Sequence, residues 1–66
     1  MKLIINGETK VIEDGSSLQK IITDLEIEDK VMAAAVNMDI VKKDDWSNSH
    51  PQDGDKLELL QFVGGG

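Results

Sequence analysis

The chain has no cysteine and no arginine, only two aromatic residues and one histidine, and no long apolar run. Without cysteine it can form no disulfide, no thiolate zinc site and no cysteine nucleophile. A lone His50 argues against a histidine-based metal site or a catalytic triad. The longest apolar run, Val31–Val36, is far shorter than the ~20 residues needed to span a membrane. The N-terminal stretch breaks after three apolar residues, so we expect no signal peptide.

Acidic residues outnumber basic residues in this chain. Thirteen acidic residues against seven lysines give a net charge of −6. Nucleic acids and anionic membranes are bound through lysine and arginine, so this balance argues against both as partners. We therefore expect a soluble, cytoplasmic protein that is a monomer when free.

Size limits what the chain can do. Its 66 residues correspond to one small domain, and 39% hydrophobic residues are enough for a lean core. A deep pocket that excludes water would consume most of such a core. The size therefore favours a binding or carrier role over catalysis.

Turn signals and periodicity predict two strands followed by a helix in the first half. Asn6-Gly7 is a strong signal for a type I′ hairpin between strands Lys2–Asn6 and Glu8–Glu13. Ser16 is the predicted helix N-cap, and Gln19 would complete a capping box. The apolar positions of the helix fall on one stripe, as i, i+3, i+4 and i+7 spacing requires: Leu18, Ile21, Ile22 and Leu25.

The second half is predicted to contain three more strands. These are Val31–Asn37, a short return strand at Ile40-Val41, and the clearest strand, Lys56–Val63, with one helical turn around Lys43–Trp46 between the last two. Trp46 is expected to be a structural anchor. The predicted core combines both halves: Leu3, Ile5, Leu18, Ile21, Ile22, Leu25, Val36, Leu57 and Leu59.

The predicted order, β-β-α-β-(β)-β, suits few topologies. A right-handed crossover places the helix on one face of the sheet and lets the last strand lie parallel to the first. This is an α+β β-grasp, with one helix packed on a mixed sheet of four to five strands. The helix covers one face only, so the other face stays exposed.

The end of the chain resembles that of a known family. The segment Asp53–Gly66, DGDKLELLQFVGGG, looks like the ending of the ThiS sulfur carrier proteins of thiamine biosynthesis, and Ala35–Val41 and the Asn6-Gly7 hairpin are also similar. The resemblance runs the whole length and implies a ubiquitin-like β-grasp. It also implies a domain at 1–63 and a flexible glycine tail at 64–66. Glycines have no Cβ, so such a tail could enter a narrow channel.

The resemblance implies a chemistry at the terminal carboxylate. A ThiF-like adenylyltransferase would use ATP and Mg²⁺ to adenylate Gly66, and sulfur from a persulfide donor would displace AMP to leave a thiocarboxylate. A ThiG-like thiazole synthase would take that sulfur. Gly64 and Gly65 would supply clearance. The chain itself would be a co-substrate with no catalytic residue, bound metal or bound cofactor of its own.

Strand alternation also predicts a docking patch on the exposed face of the sheet. If Leu57 and Leu59 face the helix, then Glu58, Leu60 and Phe62 point outward. Parallel pairing of the first and last strands would set Ile4 beside them. An apolar group that leads into the reactive tail suggests an interface with the partner enzymes.

Other functions start from the same features. The small subunit of molybdopterin synthase, MoaD, shares the fold and the tail. A ubiquitin-like modifier conjugated to lysines through Gly66 also begins from an acyl-adenylate, and a plain β-grasp interaction module needs no tail chemistry. The sequence leaves these alternatives open.

Overall fold

The computed structural model describes residues 1–61. In these residues two hairpins and a final strand form a single five-stranded sheet, and one helix packs on it. The elements are β1 (Lys2–Ile5), β2 (Glu8–Val11), α1 (Leu18–Asp24), β3 (Val31–Val36), β4 (Asp39–Val41) and β5 (Lys56–Gln61), with 3₁₀ turns at Glu28–Lys30 and Lys43–Asn48. The predicted glycine tail and the boundary at residue 63 lie outside the described residues and stay predictions.

Both hairpins turn through two residues with positive φ. Asn6 and Gly7 have φ of 49° and 85°, and Asn37 and Met38 have φ of 49° and 71°. This is the pattern of a type I′ turn, whose twist matches that of the strands it joins. The strands β1 and β3 therefore end one residue before the predicted Asn6 and Asn37, because a left-handed residue has left the extended region. The second strand also stops early, at Val11 instead of Glu13.

The sheet has the order β2-β1-β5-β3-β4. The first strand pairs parallel with β5 and antiparallel with β2, and β3 pairs antiparallel with β5 and β4. The crossover from the first hairpin through α1 thus leads to a last strand that lies parallel to the first, as predicted. The mixed five-stranded sheet with one helix confirms the predicted α+β arrangement.

The helix begins one residue later than predicted. Ser17, not Ser16, is the N-cap, and its hydroxyl accepts a hydrogen bond from the Lys20 amide at 3.0 Å. Ser16 is instead buried and donates to the Glu13 carbonyl. The predicted capping box is wrong, because the Gln19 side chain donates forward to the Thr23 hydroxyl. Because Ser16 is buried and its hydroxyl is bonded to Glu13, Ser17 is the serine that is free to cap the helix.

One hydrophobic core lies between the helix and the sheet. Seven of the nine predicted core residues are buried, while Leu25 and Val36 pack against the core half-buried. Val31, Ala34 and Trp46 join it. Trp46 is 1% exposed and its indole Nε1 donates to the Val41 carbonyl at 3.0 Å, which confirms its predicted role as an anchor. Within residues 1–61, no helix has the length and apolar character needed to cross a membrane.

Candidate functional site: the open face of the sheet

The last strand separates a buried face from an open one. Leu57 and Leu59 are buried against the helix, whereas Lys56, Glu58 and Leu60 between and beside them are exposed. Side chains alternate along a strand, so the exposed set lies on the face that no helix covers. The predicted orientation of Glu58 and Leu60 is therefore confirmed by the structure.

The predicted neighbour in the first strand lies on the same face. Ile4 is opposite Lys56 in the parallel ladder between β1 and β5, and it is half-buried. This register places Ile4 beside Lys56 and Glu58, with Leu60 farther along β5 toward the tail. Phe62, the fourth residue of the predicted patch, lies outside the described residues.

A hollow of about 260 Å³ lies next to Leu60 on this open face. Ala33 is opposite Leu60, Ala35 is opposite Glu58, and Ile40 continues the row on β4. The small alanine side chains leave space between Leu60 and Ile40, which are 62% and 78% exposed. Such an apolar recess with one carboxylate at its side can receive an apolar side chain of a partner next to a cationic one.

The sequence reasoning missed this alanine-lined hollow. The signal that could have revealed it is the period of two in Val31–Val36, which places Ala33 and Ala35 on the face opposite Ala34. The face of Ile40 follows only from its register with Ala35. The two strands belong to the half of the sheet that is far from Ile4.

A second hollow, of about 290 Å³, lies on the other side of Glu58. Ile4, Gly7 and Lys56 line it together with Glu58 and Asn6, and the last two also line the first hollow. The two recesses therefore form one concave strip across the open face. Glu58 lies at its centre.

Asn6 fastens β1 to β5 at this strip, a role that the hairpin signal alone did not predict. Its side-chain Oδ1 accepts from the Leu59 amide at 2.8 Å, and its Nδ2 donates to the Leu59 carbonyl at 3.2 Å. Its own amide donates to the Leu57 carbonyl at 2.9 Å. These bonds hold β5 in place two residues before Gln61, the last described residue of the strand.

The acidic turn before β5 is held in place by hydrogen bonds to nearby segments. Asp55 accepts hydrogen bonds from the Gln52 amide at 2.8 Å and from the Asn37 side chain at 3.0 Å. These two bonds, the first more than the second, stabilise the ionised form and lower the pKa of the Asp55 carboxyl. Asp53 accepts a hydrogen bond from the Lys2 amide at 2.6 Å, so this bond joins the turn to the first strand.

The described surface is suited to binding a partner, and it presents few side chains suited to catalysis. Among residues 1–61, no three His, Cys, Asp or Glu residues lie close enough to hold a metal ion. Lys20 has a raised pKa, because its ammonium group donates a hydrogen bond to Asp24 on the exposed side of the helix. His50 is exposed. The reactive position predicted from sequence, Gly66, and its neighbours Gly64 and Gly65 lie outside the described residues.

Comparison with known protein families identifies a family with this sequence. The family model described as the ThiS family matches residues 3–66, nearly the entire chain. This chain belongs to the ThiS family. The resemblance predicted from the DGD turn, the final strand and the glycine ending is thereby confirmed.

Two full-length relatives of this ThiS-family chain carry the name sulfur carrier protein ThiS. The one from Escherichia coli is 27% identical over 66 residues, all of both chains. The one from Bacillus subtilis is 29% identical over 65 residues, 97% of this chain and 98% of that relative. A third relative, a thiazole synthase of Paramagnetospirillum magneticum, is 35% identical over 66 residues. This chain spans only 20% of the length of that synthase.

Solved structures agree on the fold. A crystal structure of the thiamine biosynthesis protein ThiS from Geobacter metallireducens superimposes with a TM-score of 0.82 over all of both chains, at 23% identity. A solution structure of a thiamine biosynthesis protein from the same organism gives 0.80 at 22% identity, covering 100% of this chain and 88% of that one. The ubiquitin-like β-grasp fold of the ThiS-family chain is thus established.

Proposed function

We propose that this ThiS-family chain is the sulfur carrier of thiamine biosynthesis and that it carries sulfur as a thiocarboxylate at Gly66. The observation that carries the proposal is the family match, which runs through the final strand to the last glycine. The two full-length relatives named as sulfur carrier proteins support it. The chain acts as a protein co-substrate, and the enzymes that act on it supply the catalysis.

The terminal carboxylate needs activation before it can accept sulfur. It is ionised at neutral pH, since α-carboxyl groups have a pKa of about 3.3–3.7, and a carboxylate is a poor electrophile. A ThiF-like adenylyltransferase with ATP and Mg²⁺ forms the acyl-adenylate of Gly66 and releases pyrophosphate. The terminal sulfur of a persulfide donor attacks the acyl carbon, and AMP leaves. A thiol then cleaves the sulfur–sulfur bond, forming a disulfide with the donor and releasing the thiocarboxylate.

The partner surface for these steps is the open face of the sheet. The predicted docking patch of Ile4, Glu58, Leu60 and Phe62 is extended by the alanine-lined hollow between Leu60 and Ile40. Leu60 is exposed, apolar and one residue before the end of the described strand, so contacts made there lie close to the tail. Gly64 and Gly65 provide the clearance that lets the tail reach an active site.

The acceptor of the sulfur is a ThiG-like thiazole synthase. A protein named thiazole synthase in Paramagnetospirillum magneticum contains a 66-residue region similar to this chain. In that protein the carrier-like region and the rest of the synthase share one polypeptide, which supports a direct contact between the two components here.

Intact-mass analysis tests the chemistry. Incubation of the chain with the adenylyltransferase, ATP, Mg²⁺ and a persulfide donor should replace one oxygen by sulfur, located in the C-terminal peptide. Deletion of Gly66 should abolish this change, and Gly65→Ala should slow it because a Cβ narrows the clearance. An isopeptide bond to lysine side chains in place of the oxygen-to-sulfur exchange would identify a conjugated modifier and contradict the carrier function.

A matched pair of variants tests the docking face. Leu60→Ala should weaken binding to the adenylyltransferase by roughly tenfold with little change in stability, since Leu60 is largely exposed. Val11→Ala removes a comparably exposed aliphatic side chain at the edge strand, away from the tail, and should leave binding unchanged. Titration calorimetry measures both, and equal affinities would remove Leu60 from the interface.

A further inference from the structure

The last strand is paired along one side but only part of the way along the other. On the β3 side its partners run from Val36, opposite Leu57, to Val31, opposite Gln61. On the β1 side the ladder stops at the pair of Ile5 and Leu57. The first hairpin then turns away, while β5 continues toward the C-terminus.

The side chain of Asn6 supplies the final hydrogen bonds on this β1 side. By bonding both the amide and the carbonyl of Leu59, it takes the place of one more strand residue. Beyond Leu59 the ladder on this side ends.

The main chain of Gln61 comes next on the same side. The groups of Asp55, Leu57 and Leu59 that bond toward β1 are two residues apart. By this alternation the N–H and C=O of Gln61 also point to the β1 side. Within residues 1–61, no hydrogen bond joins these two groups to β1 or to the turn that follows it. A strand edge with free main-chain groups is a template for pairing with another chain.

A hollow of about 310 Å³ lies beside this open edge, on the helix side of the sheet. Leu25, Ile27 and Leu59 give it apolar walls, and Gln61 lines it at the edge of β5. Lys10 and Glu8, whose charged groups are 3.6 Å apart, lie at its rim. A strand laid along β5 would point alternate side chains toward this recess.

The sequence after Gln61 indicates what occupies the edge. Five residues remain, and the last three are glycines with no side chain to recognise. A partner that guides such a segment must hold it by its main chain, and strand pairing is the arrangement that gives main-chain hydrogen bonds with register. We propose that an extended segment of the adenylating enzyme pairs with β5 on the β1 side, beginning at Gln61, and places an apolar side chain in the hollow lined by Leu25 and Ile27. This inference rests on the proposed function.

Amide hydrogen exchange tests the pairing directly. The ¹⁵N-labelled full chain is compared alone and saturated with the adenylyltransferase in the absence of ATP, so that the complex stays at the binding stage. Exchange of the Gln61 amide should slow at least about tenfold in the complex. The Leu59 amide, bonded to Asn6 in the free chain, is the internal reference and should be slow in both states. An unchanged Gln61 rate at saturation would overturn the proposal.

Two substitutions of Gln61 distinguish the contribution of its main-chain N–H to binding from that of its side chain. Gln61→Pro removes the N–H, and Gln61→Ala keeps it while removing the same side chain. Proline is compatible with the fold, since by the same alternation this N–H points away from β3, and the preceding residue lies in the extended strand β5. Gln61→Pro should weaken binding about three- to tenfold relative to Gln61→Ala. Equal affinities would overturn the pairing, and the exchange measurement on the unaltered chain stays decisive if the proline variant is unstable.

The outcomes distinguish this inference from the function on which it rests. If the unaltered chain gains no sulfur at Gly66, the carrier function itself fails. If it gains sulfur but Gln61 shows no protection in the complex, only the strand pairing fails. Protection of Gln61 that grows with the concentration of the chain alone would assign the edge to a second copy of this chain and would also overturn the proposal.

Discussion

Two asparagines perform similar tasks at the two hairpin turns. Asn6 and Asn37 both have φ of 49°, and both use their side chains to bond the main chain of the last strand, at Leu59 and Lys56 respectively. Asparagine tolerates the left-handed region better than most residues, and its amide can both donate and accept. Each residue therefore turns its own hairpin and holds β5, the strand that precedes the C-terminal glycines in the sequence.

Met38 stores strain that a substitution can release. It has φ of +71° and is 84% exposed, so its side chain gains little packing in return for an unfavourable backbone. Met38→Gly should raise the free energy of unfolding by about 0.5–1 kcal/mol. Urea denaturation measures this. Asn37→Gly is the control, which should destabilise the fold because it removes the bonds to Lys56 and Asp55. A destabilising Met38→Gly would show that the side chain makes contacts that outweigh the strain.

The Asp55 carboxylate should make the free energy of unfolding depend on pH in the acidic range. Its pKa in the folded state is below the ordinary value of about 3.9, so the ionised form stabilises the fold above that pH, and this contribution is lost as the pH falls through the folded pKa. Asp55→Asn should cost less than about 1 kcal/mol at pH 7, since the group is solvent-screened. The difference in stability between Asp55→Asn and the unaltered chain should therefore shrink as the pH falls below the ordinary pKa of an aspartate. The two urea midpoints are compared at neutral and at acidic pH, and a difference that stays the same at both would contradict the assignment.

At the scale of elements, short segments depend on their ends and on what they pack against. The helix α1 has only seven residues, too few to be stable alone, and buries Leu18, Ile21 and Ile22 against the sheet. The 3₁₀ turn at Lys43–Asn48 contributes one buried residue, Trp46, to the same core. Each element is therefore ordered by tertiary contacts more than by its own propensity.

The cap of α1 can be tested against the residue that was predicted to complete a capping box. Ser17→Ala should cost about 1 kcal/mol, because the Lys20 amide loses its acceptor. Gln19→Ala removes only an exposed bond to Thr23 and should stay within about 0.5 kcal/mol. Thermal or urea unfolding distinguishes the two, and equal effects would mean that Ser17 does not cap the helix.

At the scale of the whole molecule, a lean core supports two different surfaces. The helix covers one side of the sheet except for the hollow beside Gln61, and the open side presents the concave strip centred on Glu58. The net charge of the chain is −6, so at long range the molecule attracts a positively charged partner. A partner with a basic docking surface is thus favoured both at long range and at Glu58.

This charge should be visible in association kinetics. The association rate with the adenylyltransferase should fall as ionic strength rises, since salt screens the attraction between an acidic carrier and a basic surface. The dissociation rate, which short-range contacts govern, should change much less. Stopped-flow measurements over a range of salt concentrations give both rates. An association rate indifferent to salt would show that the negative charge does not steer binding.

Local patterns in the sequence were sufficient for the order of elements, most of the core and the family. Period-two alternation placed Glu58 and Leu60 opposite Leu57 and Leu59, and the Asn6-Gly7 pair located the first turn. These features depend on near neighbours along the chain, whose geometry is set by backbone sterics and side-chain spacing. The glycine ending and the DGD turn likewise carried the resemblance that the family match confirms.

What only the tertiary structure decided involves residues far apart in sequence. The helix cap moved to Ser17 because burial removed Ser16, and the hollow between Ile40 and Leu60 exists because the register sets small alanines between them. The bonds from Asn6 to Leu59 span 53 residues. The ladder between β1 and β5, which stops at Ile5 and Leu57 and leaves Gln61 at an open edge, also joins distant parts of the sequence. Register and burial are properties of the assembled sheet, and no local pattern encodes which side chain meets which across it.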